Sequence, residues 1–362
     1  MNIDFANLQY QHNLYKDEIE EAILKVSRKC NFIMGEEVKE LEANLEKFTK
    51  AKFAISCSSG TDALLLAMMA FDIKSGDEVI TTPFTFVATA EMIAFLGATP
   101  VFVDIDEKTY NINADKIEEK ITSKTKAIIP VSLYGQPADM DKILSIAKKY
   151  NIKVIVDGAQ SFGSEFNGIK DSNLGDIATT SFFPAKPLGC YGDGGACFTN
   201  DEEIADKLKS LRIHGQTKRY YHKYIGIGGR LDTIQAAVLN VKLRHYEKDL
   251  ALRQEVATKY TNLLKNKSII IPYVDSRAKS AWAQYSIRVL NRDIVQSSLK
   301  EKGIPTAVHY PKPLHLQESF VYLGYKDNDF PISELVSKEI MSLPMNPYLS
   351  DDEIKYVAKQ LC

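Results

Sequence analysis

From about residue 50 to residue 157, short apolar runs alternate with stretches of helical periodicity, and few folds accommodate that order. Residues 78–81 read as a strand, 88–96 as a helix, 100–104 as a strand, 114–121 as a helix, 127–131 as a strand, 140–150 as a helix and 153–157 as a strand. Strands separated by helices of this length pair in parallel and need apolar cover on both faces. The alternation therefore predicts an α/β fold with a mostly parallel sheet between helical layers. In such sheets ligands sit beyond the carboxyl ends of the strands, in loops that the rigid sheet holds still. Asp157 and residues 82–86 fall at such ends.

The texture changes after Arg230. Residues 233–243 are amphipathic and lead into a longer, charged helical stretch over 246–264. Beyond it, residues 283–289 read as a strand, and a last helix follows Ser350. This remainder is expected to form a small α+β domain. Helical periodicity over residues 15–26 predicts an N-terminal arm rather than a domain. The expected organisation is an arm over 1–30, a large domain over 31–245 and a small C-terminal domain over 246–362.

Composition limits the partners. A net charge of −2 over 362 residues gives no footing for nucleic acid or an anionic membrane. The basic pair Lys218-Arg219 remains a candidate for an anionic small molecule. The start of the chain lacks the basic-then-apolar pattern of a signal peptide, and no run reaches the ~20 apolar residues of a membrane span. Cys30, Cys57, Cys190, Cys197 and Cys362 show neither metal-ligand spacing nor a disulfide framework, so no metal site is expected. They are expected to be buried thiols of a cytoplasmic protein, Cys190 included, although it adjoins the segment discussed next.

Lys186 lies between Pro184 and Pro187 in a stretch with no other charge, and Asp157 ends a strand upstream. An amine in apolar surroundings loses its proton more readily and becomes a nucleophile. A carboxylate at a strand end can keep a pyridine nitrogen protonated through a charge-assisted bond. Together the two match what pyridoxal 5′-phosphate needs: an amine for its aldehyde and an acid for its ring nitrogen. Ser59-Gly60-Thr61 opens a strongly apolar helix, where free N–H groups and the positive dipole end suit a phosphate. Ser181 can reach the same phosphate. Phe84 or Phe86 can stack on a flat ring, and spacing does not choose between them. Taken singly, Asp157 reads equally as a turn or cap residue, and Ser59 or Thr61 as a plain helix cap. The glycine-rich stretch 189–195 has Tyr191 where a dinucleotide fingerprint requires glycine.

These segments, with Asp157-Gly158-Ala159-Gln160 and Thr85-Phe86-Val87-Ala88-Thr89, resemble the DegT-type sugar-nucleotide aminotransferases across nearly the whole chain. The resemblance implies the aspartate aminotransferase-like architecture of fold type I: a large domain with a mostly parallel seven-stranded sheet and a small C-terminal α+β domain. It implies that Lys186 binds the cofactor covalently and shuttles the proton, that Asp157 pairs with the pyridine nitrogen, and that Gln160 approaches the ring hydroxyl. Phe86 rather than Phe84 would stack, and Ser59, Gly60, Thr61 and Ser181 would hold the phosphate.

The same resemblance implies a homodimer with shared active sites, L-glutamate as donor, and cycling between pyridoxal and pyridoxamine 5′-phosphate. Residues 226–232 look like the loop that reaches the partner subunit, with Gly228 where asparagine is usual and Arg230 available for an anionic substrate group. Residues 182–195 and His309-Tyr310 look most like the branch that aminates UDP-2-acetamido-2-deoxy-3-oxo-glucuronate, so His309 and Tyr310 are expected at the nucleotide sugar. Other expectations are a C4 aminotransferase for 4-keto-6-deoxy UDP- or dTDP-sugars, a cofactor-dependent sugar dehydratase, and a non-catalytic cofactor-binding protein. The dehydratases carry histidine where this chain has Lys186.

Overall fold

The computed structural model describes residues 3–361. Helices α1 (Leu8–Leu14), α2 (Lys16–Lys29) and α3 (Glu36–Thr49) come first, followed by β1 (Phe53–Cys57) and α4 (Gly60–Ala70). The alternation continues through β2 (Glu78–Thr81), α5 (Ala88–Phe95), β3 (Thr99–Phe102), β4 (Thr125–Ile128), α6 (Met140–Tyr150) and β5 (Lys153–Asp157). A short hairpin of β6 (Glu165–Phe166) and β7 (Ile169–Lys170) precedes β8 (Ile177–Ser181), β9 (Gly195–Thr199) and α7 (Glu202–Leu211). A second hairpin, β10 (Gln216–Lys218) with β11 (Tyr221–His222), leads to α8 (Thr233–Leu264). The rest holds β12 (Ala278–Lys279), β13 (Tyr285–Arg288), α9 (Arg292–Glu301), α10 (Pro331–Glu339), β14 (Ile340–Leu343) and α11 (Asp351–Gln360).

Seven strands form one sheet in the order β1-β9-β8-β5-β4-β2-β3. β9 runs antiparallel to both its neighbours, and the pairs from β8 to β3 are parallel. The mostly parallel α/β sheet expected from the alternation is present. Its strands read as continuous apolar runs because the period of two sends successive side chains to different cores. Val154 and Val156 pack with α3, α6 and α8, through residues such as Leu41, Ile143 and Leu239. Ile155 between them packs on the opposite face with Leu64, Ile93 and Leu208. Ile128 and Ala127 divide in the same way.

Local expectations differ from the structure in three places. Residues 114–121 form two short 3-10 turns, Ala114–Lys116 and Glu118–Lys120, instead of a helix. Only Ala114 and Ile117 are buried there, three residues apart, which matches the tighter repeat. The two helical stretches after Arg230 are one 32-residue helix, α8. Its first half packs on the sheet, and Val256, Ala257, Tyr260 and Leu264 join a separate core with Ile287, Leu299, Met341 and Val357. Finally, Cys57, Cys190 and Cys197 are buried but Cys30 is exposed, at the left-handed C-cap of α2; Cys362 lies outside the described residues. Among the described residues no helix is long and apolar enough to cross a membrane.

β1 is braced where it turns toward α4. Buried Arg212 donates from Nη1 to Glu42 and to the Ser56 carbonyl at 2.7 Å, and Glu42 accepts from the Ser56 amide at 3.0 Å. Removing one member of a buried pair strands the other charge. The Glu42→Ala variant should lose about 3–5 kcal/mol of stability, read as a drop in the urea midpoint at unchanged slope.

Candidate active site

β5 ends in Asp157, whose carboxylate is only 4% exposed. It accepts from Thr89 Oγ1 at 2.7 Å and from the Ala159 amide at 3.2 Å, and Thr89 in turn contacts Thr85 Oγ1 at 3.1 Å. Burial raises its pKa, while Thr89, Ala159 and the charge of Lys186 oppose the shift. Such an acid gains most from a cationic donor, which a protonated pyridine nitrogen is. Gln160 is held from two sides: its Oε1 accepts from the Tyr134 amide at 2.8 Å, and its Nε2 donates to Tyr310 Oη at 3.1 Å.

Lys186 follows β8 in a loop that folds back on itself. The Phe182 amide donates to Gly194 O, the Lys186 amide to Phe183 O, and the Cys190 amide to Phe182 O, each at 2.8 Å. Buried Lys242 on α8 donates from Nζ to Gly189 O at 2.8 Å and so ties the loop to the long helix. The Lys186 amine is partly buried, and burial lowers its pKa while Asp157 pulls it back up. Lys186 is thus biased toward the neutral amine beside an acid that needs a cation.

The start of α4 lies against the end of β8. Ser59 caps the helix, accepting from the Asp62 amide at 3.0 Å, and the Ala63 amide returns to Ser59 O. The amides of Gly60 and Thr61 remain in the first turn without an acceptor, as helix geometry requires. A Cβ on Gly60 would stand 2.6 Å from the Ser181 Cβ, so only glycine lets the two segments approach this closely. The result is a small cradle of free N–H groups at a helix start, with a serine hydroxyl at its edge. A phosphate fits this donor set, and the Asp157–Lys186 pair fits a pyridine ring bearing an aldehyde.

Phe84 is fully buried in a cluster with Val131 and Leu133, whereas Phe86 is 55% exposed, with its ring 6.3 Å from that of Tyr310. His309 shares a cavity with Lys186, and its Nδ1 meets Ser342 Oγ at 3.0 Å. Burial, and secondarily the Lys186 charge, pushes its pKa down to about 4. Tyr134 Oη donates to the His309 carbonyl and ties this segment to the sheet. Arg230 does not line that cavity. Its neighbour Gly229 accepts from the Ser58 amide at 3.1 Å, which sets residues 226–232 against the start of α4. A side chain at Gly228 would meet the ring of His214 at 3.1 Å. Thr89, Tyr134 and Lys242 were not singled out in the sequence. Thr89 alone carried a signal, as a hydroxyl one helical turn from Thr85.

The sequence pattern of the DegT/DnrJ/EryC1/StrS aminotransferase family matches residues 13–362, and the chain belongs to that family. It is 50% identical over 359 residues to the UDP-2-acetamido-2-deoxy-3-oxo-D-glucuronate aminotransferase of Pseudomonas aeruginosa, covering 99% of each chain. The structure of DesV from S. venezuelae, solved in complex with a ketimine intermediate, superposes with a TM-score of 0.97 at 33% identity, covering 99% of this chain and 97% of that one. Ntda from Bacillus subtilis, solved with bound cofactor PMP, superposes with a TM-score of 0.93 at 30% identity over 99% and 84%. The chain is a pyridoxal phosphate-dependent aminotransferase with the fold of that group.

Two measurements test the geometry. Gly60→Ala should keep the native circular dichroism yet weaken cofactor binding by about tenfold, read by equilibrium dialysis, because the new methyl group pushes the two halves of the cradle apart. The ring proton signals of His309 should stay flat between about pH 5.5 and pH 8; a midpoint near the ordinary ~6.5 would show that burial does not govern this imidazole.

Proposed function

We propose that this enzyme moves the amino group of L-glutamate to the C3 ketone of a UDP-linked 2-acetamido-3-oxo sugar, in the manner of its P. aeruginosa relative. The observation that carries the chemistry is the pairing of a desolvated Lys186 amine with buried Asp157 beside a phosphate-sized cradle. The substrate rests on the 50% identity across the full length of that relative, together with the His309–Tyr310 segment at the cavity.

When bound, pyridoxal phosphate supplies an electron sink and a temporary carrier for the amino group. Asp157 holds the ring nitrogen protonated, oriented by Thr89 and Ala159. Ser59, Gly60, Thr61 and Ser181 bind the phosphate. The exposed face of Phe86 covers the ring, a role that fully buried Phe84 lacks the freedom to play. Gln160 retains one amide hydrogen for the ring hydroxyl, since its other contacts use Oε1 and one N–H. Lys186 Nζ would take the proton from the donor α-carbon, hold it, and return it on the other side of the nitrogen being transferred, with the cofactor supplying the electron sink. With the keto sugar it runs the same transfer in reverse. Neutral His309 and Tyr310 orient the sugar, and Arg230 pairs with an anionic group of substrate.

Arg230 is not among the residues lining the Lys186 cavity of its own chain, and this supports a homodimer in which its loop serves the neighbouring subunit. We assign the arm to residues 1–30 and the large domain to 31–245, with α8 continuing into the small domain. The protein acts in the cytoplasm on soluble nucleotide sugars.

The purified holoenzyme should show visible absorbance that bleaches on adding L-glutamate. Lys186→Ala should lower turnover at least ~10³-fold with the fold intact. A rate-based panel of 3-keto and 4-keto UDP- and dTDP-sugars reads the specificity, with the 3-keto UDP sugar fastest. Equal rates across the panel would refute the C3 assignment.

A further inference from the structure

The cavity that holds Lys186 and His309 is closed on one side by the first residues of the chain: Phe5, Ala6, Leu8 and Gln11 all line it. Ile3 anchors the segment in the small-domain core and the Tyr10 ring lies 5.0 Å from that of Tyr348, but residues 5–11 bury little themselves. Helix α1 has no buried residue, its N-cap has no side-chain bond, and Leu8, Tyr10 and Leu14 are exposed. A seven-residue helix with no apolar face to bury has little reason to form on its own.

Polar contacts hold the segment in position instead. Asn346 Nδ2 donates to Asp4 O at 3.1 Å, and the Met345 amide donates to Phe5 O at 3.3 Å. His12 Nδ1 meets the hydroxyl of Tyr191, in the loop that carries Lys186, at 2.7 Å. Gln11 Nε2 donates to Asp249 Oδ2 at 3.1 Å, and Tyr348 Oη donates to the same buried carboxylate at 3.1 Å. A carboxylate only accepts, so Asp249 fixes the orientation of the Gln11 amide and leaves Oε1 as a free acceptor. Two other lining residues, Arg253 and Gln284, each carry a buried polar atom without a partner: Nε and Oε1 respectively.

We propose that residues 5–11 form a wall of the substrate site and that Gln11 is a specificity-determining residue for the nucleotide sugar. Its acceptor oxygen, backed by the Asp249 carboxylate, suits a hydroxyl or an acetamido N–H. The sugar ring and its acetamido group supply such donors, whereas the carboxylates of the amino donor supply none. The wall therefore serves the sugar half of the reaction and not the glutamate half. This inference rests on the proposed function for its choice of sugar.

Full-length holoenzyme carrying Gln11→Ala or Gln11→Glu separates the halves. Bleaching by L-glutamate should keep its wild-type rate within about twofold, while KM for UDP-2-acetamido-2-deoxy-3-oxo-glucuronate should rise about tenfold for Ala and more for Glu. Independently of turnover, amide hydrogen exchange over residues 5–11 in the wild type should slow on adding UDP-2-acetamido-2-deoxy-glucuronate and stay unchanged with L-glutamate. An unchanged KM, equal damage to both halves, or exchange insensitive to the sugar nucleotide overturns the proposal. If the wild type fails to bleach with glutamate, the functional reading falls instead, and the exchange measurement still decides whether the arm meets a sugar nucleotide.

Discussion

The site depends on a carboxylate that has lost nearly all of its water. Asp157 sits at the end of the central strand β5 with two neutral donors, Thr89 and Ala159, and burial still raises its pKa. Removing a carboxylate from water costs several kcal/mol unless a positive partner is supplied. Lys186 offsets part of that cost, while burial lowers the pKa of its own amine. The pair is thus electrostatically incomplete in a way that a pyridinium nitrogen resolves, and this leaves the lysine free for nucleophilic and proton-transfer work.

Holding that arrangement falls to backbone geometry more than to side-chain bonds. β8 and β9 are antiparallel neighbours, and between them the chain must leave Ser181, present Lys186 and return at Gly195. The loop closes on its own amides and on Lys242, so tightly that a side chain at Gly189 would run into Pro184 O. Gly195 stands against Ser59 O and Gly60 against the Ser181 side chain, so the lysine loop and the phosphate cradle are packed as one body. Arg212 and Glu42 brace the strand that feeds the cradle from behind.

The fold was largely legible in the sequence, and the segments proposed to hold the cofactor could be picked out there, because each follows a local rule. Strand periodicity, a capped apolar helix start at Ser59 and a strand-ending acid are short-range signals. Residues 114–121 misled because charge density and three apolar residues, Ala114, Ile117 and Ile121, fit a helix or a 3-10 turn equally well. β9 went unread because its first residue closes a glycine-rich loop. Thr89, Tyr134 and Lys242 act through contacts far away in sequence, and a lone hydroxyl or amine has no pattern that announces such a partner. The same holds for Arg230, whose proposed service to a neighbouring subunit lies outside anything one chain's periodicity encodes.

This division of legibility follows the division of labour in the molecule. The chemistry sits on strand ends and on the loop between two paired strands, where the sheet fixes positions to within a fraction of an ångström and substitutions are felt at once. The groups proposed for the sugar come from elsewhere: His309 and Tyr310 from the segment before α10, Arg230 from the loop before α8, and Gln11 from a helix that buries nothing. None of these carries the sheet core, so each can vary at little cost in stability. A fold whose catalytic residues are locked into its core, and whose specificity residues are hung on its periphery, can change its sugar without changing its reaction. Relatives that share one chemistry can therefore act on different nucleotide sugars, and the deciding differences should be sought in these elements outside the sheet rather than in Lys186 or Asp157 themselves.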